Sequence, residues 1–210
     1  MKLKRTTLIL LLLALGLGGF VYFYEVQGAH QRQEAEAQEQ KIFSFTADQI
    51  RSLTVKTKQR TLLLERQDKS SQSRWLMQAP IQTPASNPAI SYLTDLLVQG
   101  KSERTLQVPA SQLQEYGLAQ PQATIEVGLR DQKTHRLILG KPDFNKSFLY
   151  AQVDPPAQAS GDVNVLLVST EFNNAVNRPF SDWKSQDADK GNSRKPLPKS
   201  SSKASPSAAP

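Results

Sequence analysis

The sequence predicts an α+β domain of antiparallel β-meanders and amphipathic helices, carried behind a single N-terminal transmembrane helix. Three observations predict it: a 19-residue uncharged run near the start, alternating apolar stretches separated by polar turns, and two segments with helical spacing of apolar residues. The run extends from Thr6 to Tyr24 and follows Lys2, Lys4 and Arg5. At ~1.5 Å of rise per residue it matches the ~30 Å hydrocarbon core of a bilayer. Basic residues before such a span hold the N-terminus in the cytoplasm, and Phe20-Val21-Tyr22-Phe23-Tyr24 suits the opposite headgroup belt. The chain after Glu25 is then expected on the far side, with membrane lipid contacted through residues 6–24. A cleaved signal peptide is the competing reading, with Val26-Gln27-Gly28 as a poor cleavage site. Signal cores are usually only ~7–15 residues long, which favours an uncleaved anchor. Ala14 and Gly18 have the small-xxx-small spacing that lets two membrane helices approach, although glycine is common in such helices anyway.

Residues 25–41 are rich in Glu, Gln and Ala and read as a polar stalk. The domain is expected over 42–183. Ile42-Phe43-Ser44-Phe45 predicts a short strand, followed by a helical turn capped by Thr46. Leu53, Val55 and Thr57 alternate with Thr54 and Lys56, which is strand periodicity. Lys58-Gln59-Arg60 turns the chain, Thr61 to Arg66 returns it, and a polar loop over 68–73 leads to a third strand from Arg74 to Gln78. Pro80, Pro84 and Pro88 exclude regular structure up to Asn87, which is placed to cap a helix with Pro88 in its first turn. Ile90, Leu93, Leu96 and Leu97 share one face of that helix, and Gly100 is placed to end it.

Ser102 to Pro121 reads as a link to a second half of similar design. Thr124 to Leu129 and His135 to Leu139 form a hairpin over Asp131-Gln132-Lys133. Strands over 147–153 and 163–168 follow, then a short helix through Phe172 and Val176 capped by Ser169 or Thr170. Two β-meanders, each followed by a helix, suggest a weak internal duplication; chance likeness between two polar-tipped hairpins is the alternative. From 184 to 210 Ser, Pro, Ala and Lys dominate. Such a tail is expected to stay disordered, because it cannot bury enough apolar surface to offset its ordering entropy.

The net charge of +7 is concentrated at the two ends. Three positive charges lie in residues 1–5 and five in residues 190–210, which leaves a net −1 for everything between. A nucleic-acid partner is therefore not expected, since that would need a basic stripe on the folded body. The absence of cysteine excludes disulfides, thiolate catalysis and zinc–thiolate sites.

Several residues together resemble a known family. Trp75-Leu76-Met77-Gln78-Ala79-Pro80 is a tryptophan-bearing strand running into proline, and the amphipathic helix follows it. Then come Glu115-Tyr116-Gly117-Leu118-Ala119-Gln120-Pro121, a strand ending Leu137-Ile138-Leu139-Gly140, and a strand carrying Tyr150. Over residues 42 to 183 the chain resembles a bacterial membrane-anchored envelope family catalogued as a domain of unknown function. The resemblance implies an inner-membrane protein with a periplasmic domain, some relatives being encoded beside ABC-type transporters of the gliding-motility kind. The Gln-rich character and proline-rich tail suit a cyanobacterial source, for which the membrane would be the thylakoid and the domain lumenal. The family brings no catalytic residues to carry over. Trp75, Tyr116, Gly117, Leu118, Pro121, Gly140 and Tyr150 are read as architecture: Gly117 at positive φ ending a helix begun at Ala110, Leu118 packing back on it, Pro121 leading into the next strand.

Motifs for chemistry are sparse. His30 and His135 stand apart, with Asp131 the acid expected nearest to His135, so no metal site is expected. Ser181-Asp182-Trp183-Lys184 and Ser200-Ser201-Ser202-Lys203 have a Ser-x-x-Lys spacing without the companion motifs of penicillin-recognising enzymes. Gly140-Lys141-Pro142 lacks the rest of a P-loop, and Asp154 and Asp162 read as solvated. No catalytic residue and no cofactor is expected. Phe180 and Trp183 either tuck the chain end onto the domain or form an exposed patch for a partner. The expected function is binding without catalysis, as a scaffold, accessory or assembly factor of a membrane complex, with an ABC-type transporter as one version. A glycan- or lipid-binding module and a cell-envelope hydrolase are the alternatives.

Overall fold

The computed structural model describes residues 16, 40–67, 74–156 and 161–186. Apart from Gly16 the expected span lies outside them, as do the stalk up to residue 39, the 68–73 loop and the tail from 187. Among the described residues no helix is long and apolar enough to cross a membrane.

The fold is mostly antiparallel β-sheet with few helices. Strands β1 (Ile50–Thr57), β2 (Thr61–Gln67), β3 (Arg74–Ala79) and β4 (Thr83–Pro84) precede helix α1 (Asn87–Gln99). After β5 (Arg104–Pro109) come β6 (Ala123–Leu129), β7 (Thr134–Pro142), β8 (Phe148–Val153), β9 (Asp162–Ser169) and helix α2 (Glu171–Val176). All these strands lie in one sheet, ordered β4-β3-β2-β1-β6-β7-β8-β9-β5. The two meanders join where β1 pairs β6, with Leu53 opposite Val127 and Val55 opposite Ile125.

One face of the sheet carries the main core. Leu53, Val55, Leu62, Leu64, Met77, Ile125, Val127, Leu137 and Ala151 point into it, covered by Ile90, Leu93 and Leu97 of α1 and by Phe172 and Ala175 of α2. Leu96, expected on the same stripe, packs at its margin and is only half-buried. Tyr92 of α1 donates a hydrogen bond to Glu171 of α2, tying the two helices together.

The sequence expectations need four corrections. Ile42–Phe45 is not a strand. Ile42, Phe43 and Phe45 are all buried, so the segment lies flat across the core face and does not alternate between two faces. Its start is held by a bridge from Lys41 to Lys101 and by Ile42 N–H donating to the Gly100 carbonyl at 3.0 Å. Second, α1 is capped one residue earlier than expected, by Ser86, whose hydroxyl accepts from Ala89 N–H. Asn87 and Pro88 are thus inside the helix, and Gly100 ends it at φ −59, outside the left-handed region.

Third, the prolines do not exclude all regular structure, because β4 pairs Thr83 with Met77 and Pro84 with Leu76 at the sheet edge. Proline is tolerated there because an edge strand leaves one row of amides unpaired. Fourth, the Ser102–Pro121 link contains β5, which pairs β9 from Arg104 opposite Leu167 to Pro109 opposite Asp162. Beyond Trp183, Lys184 bridges Ala85 and Ser185 N–H donates to the Pro84 carbonyl.

After β5, at the far edge, the chain must return to β6 at the centre, and it does so across the second face of the sheet. That crossing builds a smaller core of Val108, Leu118, Val163 and Val165, flanked by Leu106, Leu113, Tyr116, Ile138 and Tyr150.

Candidate functional site

Strand polarity gathers particular segments at the end of the sheet where β1 finishes. The turn Lys58–Arg60 lies there, as do the approach to β6 over 120–122, the end of β7 at Gly140–Pro142, and the Ser169–Glu171 junction between β9 and α2. Between them lies an open groove of about 580 Å³ lined by Thr57, Lys58, Gln59, Gln114, Gly117, Gln120, Gln122, Lys141 and Asn177.

The floor is built by the crossing segment. A 3-10 turn at Ala110–Gln112 continues to Gly117, which takes φ +71 as the sequence suggests. Gly117 N–H donates to Gln114 O at 3.0 Å and Leu118 N–H to Leu113 O at 2.9 Å, the paired bonds of a Schellman termination. Leu118 turns back into the second core and is 5% exposed. The Tyr116 carbonyl accepts from Lys141 N–H at 3.0 Å, and the Tyr116 ring meets Tyr150 edge-on with centroids 4.9 Å apart. Gln122 then fastens the segment to β7, its side chain donating to Gly140 O at 2.6 Å and its backbone N–H to Leu139 O at 2.9 Å.

The walls offer amides and ammonium groups. Gln114 and Gln120 each carry both a donor and an acceptor, whereas the Asn177 amide already donates to Asn173 and the Gln59 carbonyl oxygen accepts from Arg60. Among the described residues neither Lys58 nor Lys141 is paired with a carboxylate. Thr57 is already engaged, its hydroxyl donating to Arg60 O at 3.2 Å and closing the β1–β2 turn. This is a surface for hydroxyl, amide and anionic groups.

The residues singled out in the sequence separate into three places. Tyr116, Gly117, Leu118, Gly140 and Tyr150 come together under the groove, with Pro121 leading out of it. Trp75 lies apart in the main core, 7% exposed, with the Arg66 guanidinium 5.1 Å from its ring. Trp183 is 0% exposed and Phe180 is half-buried beneath Arg60 and Lys184, so the chain end is tucked in and does not present the two rings as an exposed patch.

His135 faces Asp154 and not Asp131, with 2.7 Å between Nδ1 and Oδ2, and its ring leans on Phe43 and Phe45. Asp154 also accepts from Arg136 N–H at 2.6 Å. Asp131 is instead held by Lys133, which keeps its carboxyl below the usual aspartate range. Ser181 donates to its neighbour Asp182, and 200–203 lies outside the described residues. Among the described residues no group of three or more His, Cys, Asp or Glu could hold a metal ion. The groove amides leave one signal in the sequence, the density of glutamine at positions 112, 114, 120 and 122 around the tyrosine–glycine–leucine element.

Residues 75–188, more than half of the chain, match the model of a family described as "Domain of unknown function (DUF4340)". The chain belongs to that family. The DUF4340 match begins at Trp75 in β3 and includes the crossing segment and β5 to β9, leaving β1, β2 and the Lys58 turn outside it. No curated protein and no solved structure matches the chain.

Proposed function

We propose that this chain is a membrane-anchored envelope protein whose domain works by binding, as a scaffold, accessory or assembly factor of a larger membrane complex. Residues 6–24 serve as the anchor, with the N-terminus cytoplasmic and the domain periplasmic, or lumenal in a thylakoid. The observation that supports a binding role is the groove, whose amide and ammonium lining is suited to holding a polar or anionic surface. An ABC-type transporter as the complex rests on family resemblance alone, an associational warrant. The two meander-plus-helix halves, meeting where β1 pairs β6, are read here as a duplicated unit that widens one continuous sheet.

The amide-rich walls also favour a second reading, a glycan-binding module, because side-chain amides match sugar hydroxyls as both donors and acceptors. Affinity purification of tagged full-length chain from mildly solubilised membranes, beside the double variant Lys58→Glu, Lys141→Glu, tests the proposal. A co-purifying protein that the variant loses supports the scaffold role. A chain recovered alone that is retained by immobilised envelope polysaccharide moves the function to the glycan reading.

A further inference from the structure

The end of the sheet that holds the groove has a composition unlike the rest of the surface. The three exposed large apolar side chains among the described residues all belong to it: Phe144, Ile81 and Leu63, at 98%, 47% and 39% exposure. Phe144 tips the β7–β8 turn, Ile81 lies in the β3–β4 loop, and Leu63 stands opposite Ala79 near the start of β2.

The Phe144 turn is firmly built. Asp143 N–H donates to Phe148 O at 2.9 Å, Phe148 N–H donates to the Asp143 carboxylate at 3.0 Å, and Lys146 N–H donates to Asp143 O at 3.1 Å. A constructed turn that holds a phenyl ring entirely in water presents that ring to something.

Charge points the same way. Lys41, Lys58, Lys101, Lys141 and Lys146 are exposed at this end. The carboxylates nearby are Glu103, Glu115, Asp143 and Glu171, of which Asp143 is engaged in its turn and Glu171 with Tyr92. Aspartates gather at the opposite end, where Asp48, Asp131 and Asp154 lie among their own partners.

Two features choose the occupant. The β3–β4 loop and the β7–β8 turn are five strand spacings apart from midpoint to midpoint, about 24 Å at ~4.8 Å each, too far for one small ligand but within reach of a flat surface. The chain also enters the domain here, through Gln40 and Lys41 beside Lys101 and Ser102, and fifteen residues separate Gln40 from the end of the apolar run at Tyr24.

We propose that this end of the sheet docks on the anionic surface of the same bilayer, with Phe144 entering the headgroup–acyl boundary and the lysines facing lipid phosphates. The proposal rests on the anchor reading of residues 6–24. Docking would present the groove toward the membrane plane, where lipid head groups and membrane-embedded partners lie.

The test uses full-length chain carrying Phe144→Trp, reconstituted into vesicles of equal parts phosphatidylcholine and phosphatidylglycerol, with and without acyl-chain bromination. The parental chain, whose two tryptophans are buried, gives the baseline. Flotation of the same vesicles reports the anchor separately. The expected result is a chain that floats, with the added emission blue-shifted and mostly lost to brominated lipid. Adding Lys141→Glu and Lys146→Glu is expected to restore much of that emission while flotation persists. A floating chain whose added tryptophan emits as in water and is not quenched overturns docking and leaves the anchor standing. A chain that remains in the aqueous fraction overturns both. The variant Ile81→Trp repeats the reading at the other side of the sheet, and absence of quenching there beside a quenched Phe144→Trp overturns the flat-surface geometry.

Discussion

Tyr116 and Gly140 meet through backbone alone: a Cβ placed on Gly140 would stand 2.2 Å from the Tyr116 carbonyl oxygen. On the other side of this contact, a Cβ on Gly117 would lie 2.8 Å from the Lys141 nitrogen. The tyrosine–glycine–leucine element and the glycine ending the β7 run are thus two sides of one backbone contact. Alanine in a strand is ordinarily better than glycine by roughly 0.5–1 kcal/mol. Here the sign reverses, and Gly140→Ala is expected to destabilise by about 1–3 kcal/mol, as overpacking does. Gly117→Ala adds a left-handed-backbone cost of ~1–2 kcal/mol to its own clash. Urea unfolding of each variant, with unchanged slope, is the measurement.

Trp183 separates volume from hydrogen bonding. Its ring is fully buried, Arg178 lies 5.4 Å from the ring centroid, and its indole N–H is buried without a hydrogen-bond partner. Trp183→Ala is expected to cost about 3–5 kcal/mol, as large cavities do. Trp183→Phe keeps much of the packing and removes an unsatisfied donor, so its cost should be well under half of that. Calorimetric melting of the two variants checks the ordering; equal losses would mean that the N–H is satisfied in solution.

Period-2 alternation made most strands legible in the sequence, because β1, β6 and β7 each bury one side against the helices. What escaped has a common physical origin. Ile42–Phe45 looks like a strand because it is apolar, yet it buries three of four side chains on one face and has no ladder to join. β5 looks like a link because an edge strand needs only one partner and tolerates Pro109. The Ser86 cap differs from Asn87 by one residue, and both side chains suit the role. Gly117 was readable, since a glycine after a polar turn before leucine announces a helix end. The groove was not, because its walls come from four separate segments that only the sheet order brings together.

The Tyr92–Glu171 bond gives a pH signature. Hydrogen bonding to Glu171 raises the Tyr92 phenol above its ordinary 10.0, with burial and the nearby negative charge acting in the same direction. The neutral phenol is the donor, so this stabilisation is complete below pH 10 and is lost as pH rises through the folded-state value. Melting temperature should therefore fall faster above pH 10 in the parent than in Tyr92→Phe, the two curves converging at high pH. Parallel curves would mean that the bond between α1 and α2 contributes nothing.

Acid acts at the opposite end of the sheet. The Thr46 hydroxyl donating to Asp48 holds that carboxyl below its ordinary 3.8, helped by the positive charge of Arg130 and Arg66. A depressed aspartate contributes stability above its unfolded value, and the contribution disappears as pH falls through the folded one. Thr46→Val is therefore expected to raise the Asp48 midpoint toward 3.8, read directly by NMR titration of its carboxyl carbon. An unmoved midpoint would leave the backbone and the arginines as the whole cause.

Amide exchange should rank the sheet from its centre outward. β1 and β6 are paired on both sides and face the main core, so their opening requires nearly global unfolding. β5 pairs only with β9, and its apolar side chains, Leu106 and Val108, belong to the smaller core. The β5 amides bonded to β9 are expected to exchange through a partial opening, at least ~10-fold faster than those between β1 and β6, since 1.4 kcal/mol of local stability suffices for that ratio. Leu118→Ala should widen the gap, because Leu118 closes the same small core from the crossing segment and touches none of the main one. Uniform acceleration across the whole sheet in that variant would instead mean that the two cores open as a single unit, and that the crossing segment is as integral to the domain as its central strands.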